Sequence, residues 1–393
     1  MVSNQAKFKE TEIGPIPEEW NVCKISDVTF LITKGTTPTT IGGNFSDKGI
    51  RFIKVENLSD DGKILDDKLT YIDEDTNLLL KRSILQENDL LYSIAGTIGR
   101  VAIVTKEFLP GNTNQALAIV RPNLDKINLN YLKYFLISPF VKYKLASKVV
   151  QGVQANLSLG ELGDSLLFYP DLVEQKEIAE ALSSLDDKIE LNRKINANLE
   201  KMASALFKQW FVVDGHLFKE SKISKLGEVI NIVYGKGLPT DKLSDTGYPV
   251  FGGNGVIGFH DKYLYDEPQI IIGCRGAGSG NIKQTYPKSF VTNNSLVLEI
   301  SNGSTLNRFY LKHFLQTVDI KEFVTGSAQP QITIENLRHL KILVPPVDVL
   351  KKFESVVSEF DQLSLDNKLE SLNLERVRDS LLPRLMSGRI RVK

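Results

Sequence analysis

The segment QANLSLGEL (154–162) occurs a second time, 175 residues later, as QPQITIENL (329–337). The similarity continues beyond the segment at the same offset. Identical residues pair as Pro170 with Pro345, Asp186 with Asp361, Asn192 with Asn367, Leu199 with Leu374 and Leu206 with Leu381. The repeated segment is therefore part of a much longer internal similarity.

Upstream, the offset between matching segments changes to 179, which corresponds to one short loop insertion. At this offset TNQAL (113–117) matches TNNSL (292–296), and YLKYFL (131–136) matches YLKHFL (310–315). Earlier still, KGTTP (34–38) matches KGLP (236–239). A repeat of about 200 residues is too long for a short-repeat solenoid and predicts two domains of one kind.

Composition narrows the class of protein. A chain of 393 residues with 42% hydrophobic residues predicts two or three ordinary globular domains. The longest apolar runs fall short of the roughly 18 residues needed to cross a bilayer, and the amino-terminal residues lack the apolar centre of a signal peptide. These features predict a cytoplasmic protein that does not bind a membrane.

The cysteines and histidines do not predict a metal site. Cys23 and Cys274 lie in different repeats, which argues against a disulfide framework or a thiolate zinc site. Four scattered histidines add no cluster. The sequence therefore predicts no metal-binding residues.

Charge leaves two alternatives open. Lys plus Arg and Asp plus Glu both number 48, so no predicted domain is basic enough to indicate nucleic-acid binding by itself. Local cationic clusters occur in both repeats, at Arg100, Lys106 and Arg121, and at Arg275, Lys283 and Lys288. Each cluster is consistent either with a basic face or with a solvated loop.

A long amphipathic helix is predicted at the end of each repeat. The first has an apolar stripe of about four heptads, formed by Ile178, Leu182, Leu185, Ile189, Ile195, Leu199, Met202 and Leu206. Asp171 and Glu174 resemble a capping box at its start, and Asp214-Gly215 predict its end. The second runs from about Asp348 to Gly388.

Two such helices in one chain can bury their apolar stripes against each other as an antiparallel coiled coil. Asn192, Asn196 and Asn367 fall where heptad spacing places core residues. A buried asparagine in such a seam commonly fixes helix register. The alternative, that helix twist turns these side chains into water, stays open.

The first part of each repeat predicts short strands, turns and one or two helices, which is a mixed α/β domain. LLYSIAGTIGRVAIV (90–104) and QIIIGCRGAGSGNI (269–282) are apolar runs broken by glycines. YLKYFL and YLKHFL are typical of helices, and Ser158 and Thr333 are placed to cap a further short helix. A strand then precedes each long helix.

Three catalytic interpretations fail on spacing. GCRGAGSGN (273–281) imitates a nucleotide-binding loop, but IKQTYPKSF follows it, and this segment lacks the apolar stripe of the required helix. PDLVEQK (170–176) places its acidic residues at a helix start, where capping explains Asp171 better than metal-dependent cleavage. The Pro-Pro pair of VPPV (344–347) lacks the residues of an amine-methylating loop. No catalytic or cofactor-binding residue is predicted.

The chain resembles the DNA-specificity subunit of type I restriction-modification systems over essentially its whole length. The similarity lies in the two repeated segments, in the long helix after each Pro-ended strand, and in EIGPIPEEWNV (12–22), ALFKQWF (205–211) and LLPRLMSGRIRV (381–392). The second copy departs from the pattern, since Val349-Leu350 stand opposite Glu174-Gln175. This departure puts a local contact at one helix start in doubt.

The resemblance implies a non-catalytic subunit that recognises double-stranded DNA. Each target-recognition domain would read one half of a bipartite, asymmetric site, and the helix pair would set the spacing. The implied divisions are 1–172 and 214–346 for the recognition domains, 173–213 for the first spacer helix, and 347–393 for the second spacer helix and tail. Two methyltransferase and two restriction subunits are the implied partners, with S-adenosylmethionine, ATP and Mg²⁺ as cofactors of those partners only.

Candidate DNA contacts lie in the polar turns bounded by glycines. Arg and Lys can bond guanine in the major groove, Asn and Gln can bond adenine, and hydroxyls suit phosphates or bases. The candidates are Lys34, Thr36, Thr37, Ser93, Thr97 and Arg100 in the first domain, and Lys236, Asn254, Arg275, Ser279, Asn281 and Lys283 in the second.

The duplicated Thr-Asn motifs at 113–115 and 292–294 are predicted to form structural turns or a common phosphate contact, because domains reading different sequences need no shared base contact. Gln154 and Gln329 are likewise predicted to be structural. The rival class is a scaffold with two protein-binding domains on a helical spacer, which the neutral charge favours. A stand-alone enzyme is the third possibility, and turnover of DNA by the purified chain would distinguish it.

Overall fold

A computed structural model describes residues 7–11, 14–66, 69–143, 156–213, 221–300, 304–326 and 330–392. Contacts divide the chain into two compact units. The first unit comprises Met1–Ile189 and Leu372–Lys393, and the second comprises Glu190–Ser371. The predicted domain boundaries, which assign each long helix to a segment of its own, stay a prediction.

The first unit is a mixed α/β domain. Its strands are β1 (Phe8–Lys9), β2 (Ile16–Pro17), β3 (Asn21–Lys24), β4 (Thr29–Lys34), β5 (Phe45–Ser46), β6 (Ile50–Ile53), β7 (Thr70–Ile72), β8 (Leu90–Ser93), β9 (Val101–Ile103), β10 (Gly111–Thr113), β11 (Leu117–Pro122) and β12 (Leu166–Tyr169). Its helices are α1 (Glu74–Leu79), α2 (Leu129–Ile137), α3 (Leu159–Gly163), the first part of α4 (Leu172–Lys208) and the last part of α8 (Val347–Met386).

The second unit repeats the pattern. Its strands are β13 (Lys222–Lys225), β14 (Asn231–Tyr234), β15 (Tyr248–Gly252), β16 (Gly255–His260), β17 (Ile270–Gly273), β18 (Ile282–Gln284), β19 (Phe290–Val291), β20 (Ser295–Glu299) and β21 (Lys341–Val344). Its helices are α5 (Leu226–Val229), α6 (Arg308–Gln316), α7 (Ile334–Leu337), the rest of α4 and the first part of α8 (Val347–Met386).

Sheet topology confirms the duplication. The first unit has an antiparallel sheet in the order β4-β11-β8-β9, and the second has β14-β20-β17-β18. Each unit also has a second sheet with one parallel pair, β6 with β10 and β15 with β19. The central strands are continuous apolar runs because both of their faces are covered, and β8 is buried throughout.

Helix starts confirm the capping predictions. The Ser158 hydroxyl accepts a hydrogen bond from the Glu161 amide at 3.1 Å. The Thr333 hydroxyl accepts one from the Asn336 amide at 3.2 Å. Both bonds satisfy an amide that lacks a partner inside the helix. The repeated segments therefore mark equivalent helix starts, while Gln154 and Gln329 lie outside the described residues.

The long helix α4 also begins as predicted. The Asp171 carboxylate accepts a hydrogen bond from the Glu174 amide at 2.9 Å. The other half of the expected capping box is absent, because the Glu174 carboxylate pairs with the Arg391 guanidinium. Helix α4 passes into a π-helical turn at Gln209–Val213. Asp214-Gly215, the predicted end, lie outside the described residues.

Parts of α4 and α8 run antiparallel within each unit. In the first unit Asp186 contacts Arg378, and Glu174 contacts Arg391 farther along α8 and its tail. In the second unit Asn196 donates to the Ser364 carbonyl at 3.2 Å. As the residue number rises on α4, that of its partner on α8 falls, which confirms the antiparallel prediction.

The three predicted register residues lie at this seam in the second unit. Asn192 is completely buried, and its amide donates to the Asn367 carbonyl at 3.3 Å and to the Glu370 carboxylate at 2.8 Å. Asn367 donates to the side-chain oxygen of Asn196 at 3.0 Å. The helix twist therefore does not turn Asn192 or Asn367 into water, and their role in register stays a prediction.

Both long helices contribute to the hydrophobic cores. In the first unit Ile178 and Leu182 of α4, with Leu385 and Met386 of α8, pack into the core of the α/β domain. In the second unit Phe207 and Phe353 do the same. Within the described residues, no helix is both long enough and apolar enough to span a bilayer.

Candidate nucleic-acid interface

Sheet register brings the predicted contact residues of the first unit to one edge. Strand β4 ends at Lys34, which lies opposite Ala118 near the start of β11. Strand β8 ends at Ser93, opposite Leu117 on the other side of β11. Because neighbouring strands are antiparallel, the end of β4, the start of β11 and the end of β8 meet at the same place. We call this the turn edge of the first unit.

Two residues outside the predicted set lie at this turn edge. The Thr37 hydroxyl donates to the side-chain oxygen of Gln115 at 2.6 Å. The Arg82 guanidinium donates to the Thr36 hydroxyl at 3.3 Å. Gln115 was predicted to lie in a structural turn or to make a common phosphate contact, and its side chain is exposed. The adjacent cations Lys81-Arg82 were the available sequence signal for Arg82.

Three predicted residues in or beside the turn after β8 have different environments. The Ser93 hydroxyl is buried, donates to the Thr97 carbonyl at 2.6 Å and accepts from the Arg100 amide at 2.8 Å. The Arg100 guanidinium donates to the Asp60 carboxylate at 2.7 Å. Thr97 is exposed. These contacts favour a structural role for Ser93 and leave Thr97 available to a ligand.

The cationic cluster of the first repeat does not form one basic face. Arg121 donates two hydrogen bonds to the Asp89 carboxylate, at 2.7 and 2.8 Å, and Asp89 is completely buried. The Asp89 hydrogen bond raises the pKa of Arg121 above its ordinary value, against the opposing effect of burial. All three cations are thus in ion pairs, since the Lys106 ammonium also lies 3.8 Å from the Glu87 carboxylate.

The second unit has an equivalent turn edge. Strand β14 ends at Tyr234 opposite Leu296, and β17 ends at Gly273 opposite Ser295. The predicted cations of this unit are all exposed, namely Lys236, Arg275 and Lys283. The sheet therefore presents cationic side chains near or beside its turn edge.

Polar side chains at this turn edge form hydrogen bonds with one another and with the backbone. Asn281 donates to the side-chain oxygen of Asn254 at 2.7 Å, and the Ser279 hydroxyl donates to the Pro330 carbonyl at 2.9 Å. A Cβ at Gly273 would lie 2.1 Å from the Gly278 carbonyl oxygen, so the close approach requires glycine. Strand β18 follows the turn.

The duplicated Thr-Asn motifs have a structural part and an exposed part. The Thr113 hydroxyl donates to the Ile53 carbonyl at 2.8 Å, and Thr292 is buried. The following Asn114 accepts from the Ala116 amide at 3.1 Å. The third position of each motif is exposed and differs between the units, being Gln115 in one and Asn294 in the other.

One sequence correspondence is wrong. The sequence aligned Gly35 with Gly237, but the glycine against the second Thr-Asn motif is Gly235. A Cβ at Gly35 would lie 1.7 Å from the Thr113 carbonyl oxygen, and one at Gly235 would lie 2.3 Å from that of Thr292. The sequence match relied on the shared Lys-Gly pair, whereas the backbone contacts make Gly35 equivalent to Gly235. Lys34 and Lys236 therefore do not occupy equivalent positions.

Within the described ranges, no group of three or more His, Cys, Asp or Glu side chains is placed to hold a metal ion. The side chains gathered at the turn edges are amides, hydroxyls and cations. These are the groups that contact phosphates and base edges in proteins that bind DNA.

Two stretches of the chain, residues 17–201 and 219–374, match the type I restriction modification DNA specificity domain. The chain therefore belongs to this family, with two copies of its domain. The match confirms the resemblance drawn from the sequence and accounts for the duplicated turn edges.

The chain is similar along its length to two specificity subunits of Methanocaldococcus jannaschii. It is 26% identical to the type I restriction enzyme MjaIX specificity subunit, over 99% of this chain and 98% of the relative. It is 28% identical to the putative MjaX specificity subunit, with the same coverage. These relatives confirm the prediction of a non-catalytic specificity subunit and favour it over a protein-binding scaffold.

A solved structure has a similar fold. The crystal structure of the type I restriction-modification system S subunit from M. genitalium superposes with a TM-score of 0.57 at 19% sequence identity. The superposition covers 98% of this chain and 97% of that one. The mixed α/β domains with long helices are thus a fold already seen in such a subunit.

Proposed function

We propose that this chain is the DNA-recognition subunit of a type I restriction-modification complex, and that each α/β domain reads one half of a bipartite, asymmetric DNA site. One observation carries the proposal. Both units place exposed polar side chains at the same edge of the same sheet, but the side chains differ, as at Gln115 and Asn294. A shared framework with different exposed groups suits two domains that bind different half-sites.

The long helices support a spacing role. Helices α4 and α8 contain 37 and 40 residues, and their antiparallel parts are held by polar and apolar contacts in each unit. Proteins that read two half-sites require a fixed distance between the reading elements, about 34 Å for each turn of DNA. We assign α4 and α8 to that role.

The partners are proposed on the same basis. A chain with two copies of one domain suits an assembly with two methyltransferase and two restriction subunits. S-adenosylmethionine, ATP and Mg²⁺ would serve those partners, and this chain would bind none of them. The cytoplasmic location expected from the sequence stays a prediction.

The proposal is tested by mapping methylated bases in the genome of the host, with and without this gene. Loss of one split, asymmetric methylated motif would support it and would supply both half-sites. An unchanged methylation pattern, in a host where a methyltransferase subunit co-purifies with this chain, would contradict it.

Arg275→Ala is expected to weaken DNA binding and, where the guanidinium meets a base, to relax one position of the site by about 1–3 kcal/mol. Arg275 is exposed in the turn between β17 and β18, so its loss should leave the fold intact. Binding is measured by titration of the assembled complex with labelled DNA. Unchanged affinity together with an unchanged motif would remove Arg275 from the interface.

Gln115→Ala is expected to relax one position in one half-site, because a side-chain amide can donate to and accept from adenine, a contact that contributes about 1–3 kcal/mol of discrimination. The matched variant Asn294→Ala should relax a position in the other half-site. Sequencing the methylated motifs of both variants checks the assignment. If both variants keep the full motif, the third position of the Thr-Asn motif does not read bases.

A further inference from the structure

A carboxylate occupies the same repeat position on each long helix, at Asp186 of α4 and Asp361 of α8. Both side chains are largely shielded from solvent, with 14% and 7% of their surface exposed. A carboxylate taken out of water is costly unless donors surround it. Each carboxylate receives its donors from other elements of its own unit.

In the first unit, Asp186 joins the α/β domain to both long helices. The hydroxyl of Tyr134, on α2, donates to Asp186 Oδ2 at 2.6 Å. The guanidinium of Arg378, on α8, donates to Asp186 Oδ1 at 2.8 Å. Burial and then the Asp186 charge raise the pKa of Tyr134 above its ordinary value, so the phenol stays a protonated donor.

In the second unit, Asp361 has a comparable role with different donors. The side-chain amide of Gln284, on β18, donates to Asp361 Oδ2 at 2.7 Å. The ammonium of Lys312, on α6, lies 3.7 Å from Asp361 Oδ1 and donates to Glu200 of α4 at 2.8 Å. Gln316, one turn farther along α6, donates to the other Glu200 oxygen at 2.7 Å. Strand β18, α6 and both long helices therefore meet at one charged cluster.

Such clusters differ from the surrounding apolar contacts in what they determine. Apolar packing tolerates small shifts of one helix along another, because it is not directional. Hydrogen bonds to a charged group are short and directional, so they select one arrangement. Replacing a buried ion pair with apolar residues is often neutral or even stabilising, so such a pair is weak evidence for stability and can serve to specify one arrangement.

We propose that Asp186 and Asp361 are positioning residues, each of which fixes the angle of its recognition domain on the long helices and thereby sharpens the choice of half-site spacing. This inference rests on the proposed function. Neither residue touches DNA in this scheme. Asp186 acts through α2 of its own domain, and Asp361 acts through β18 and α6 of its own domain.

The test uses the assembled complex with its methyltransferase subunits and a series of DNA sites. The half-site letters are kept, and the spacer is changed by one base pair in either direction. Asp361→Asn and Asp186→Asn are expected to reduce the preference for the native spacing by about tenfold, within the usual range for coupling between sites. The methylated half-site letters should not change. Glu359→Gln is the matched control, because Glu359 is an exposed carboxylate two residues from Asp361 on the same helix.

The spacing profile separates positioning from a merely structural role. Asp variants that melt at a lower temperature but keep the wild-type spacing profile would overturn the inference and leave the proposed function standing. A wild-type complex without any split recognition site would overturn the proposed function itself. If the amide variants fail to assemble, Asp361→Glu keeps the charge and displaces it by one methylene, and a wild-type spacing profile for that variant would also overturn the inference.

Discussion

Replacing Phe353 with alanine is expected to lower the free energy of unfolding of the second unit by about 3–5 kcal/mol. Phe353 lies on α8 and is 1% exposed. Its ring centroid lies 6.0 Å from that of Phe207, at the end of α4, and 5.9 Å from Trp210 and 5.2 Å from Phe211, in the π-helical turn that follows α4. Removing the ring leaves a cavity among these aromatic side chains, since they cannot all move into the space.

Urea unfolding of the full chain measures this change. Phe30→Ala is the control, because Phe30 is equally large but 70% exposed, and its loss should change the free energy by less than about 0.5 kcal/mol. Similar midpoints for the two variants would mean that the aromatic cluster is not a centre of stability for the second unit.

Deleting one heptad from each long helix is expected to shorten the DNA spacer and leave both half-site sequences unchanged. The chosen heptads are 190–196 and 364–370, which together contain Asn192, Asn196 and Asn367. Because all three asparagines are removed together, no asparagine loses a hydrogen-bond partner among the other two while staying in the chain. Seven residues span about 10 Å of helix. This length corresponds to about 3 base pairs where the helices follow the DNA axis. The deletion rotates the rest of each helix by only about 20° about its own axis.

The methylated motif of a host that carries the shortened protein measures this outcome. Deleting 190–196 alone is the control, because it leaves α8 out of register with α4 and should abolish methylation. Altered half-site letters in the paired deletion would show that the helices themselves read DNA. An unchanged spacer would show that they do not set the spacing.

The sequence predicted correctly the elements that depend only on residues close together in the chain. The caps at Ser158, Thr333 and Asp171 were predicted, because a capping side chain bonds an amide only three residues away. The helices α4 and α8 were predicted from apolar periodicity, which is likewise local.

Contacts between distant residues explain the part of the site that the sequence left open. Asp60 pairs with Arg100 across 40 positions, and Asp89 pairs with Arg121 across 32. No spacing rule links residues so far apart in sequence, so the sequence did not reveal that these arginines are paired with carboxylates. For Gln115, the repeated context predicted either a structural turn or a common phosphate contact, and only the fold shows that its side chain is exposed.

The amino-acid sequence by itself determined the duplication, the two mixed α/β domains, the long helices and the family to which the chain belongs. The duplication, the domains and the helices follow from periodicity and repetition along the chain, and the family follows from the resemblance of its motifs, and neither needs knowledge of distant contacts. Only the tertiary structure decided which candidate side chains are exposed and which carboxylates join a domain to its helices. Burial and ion pairing depend on which strands and helices become neighbours, and the folded chain alone brings Asp186 to Tyr134 and Asp361 to Gln284.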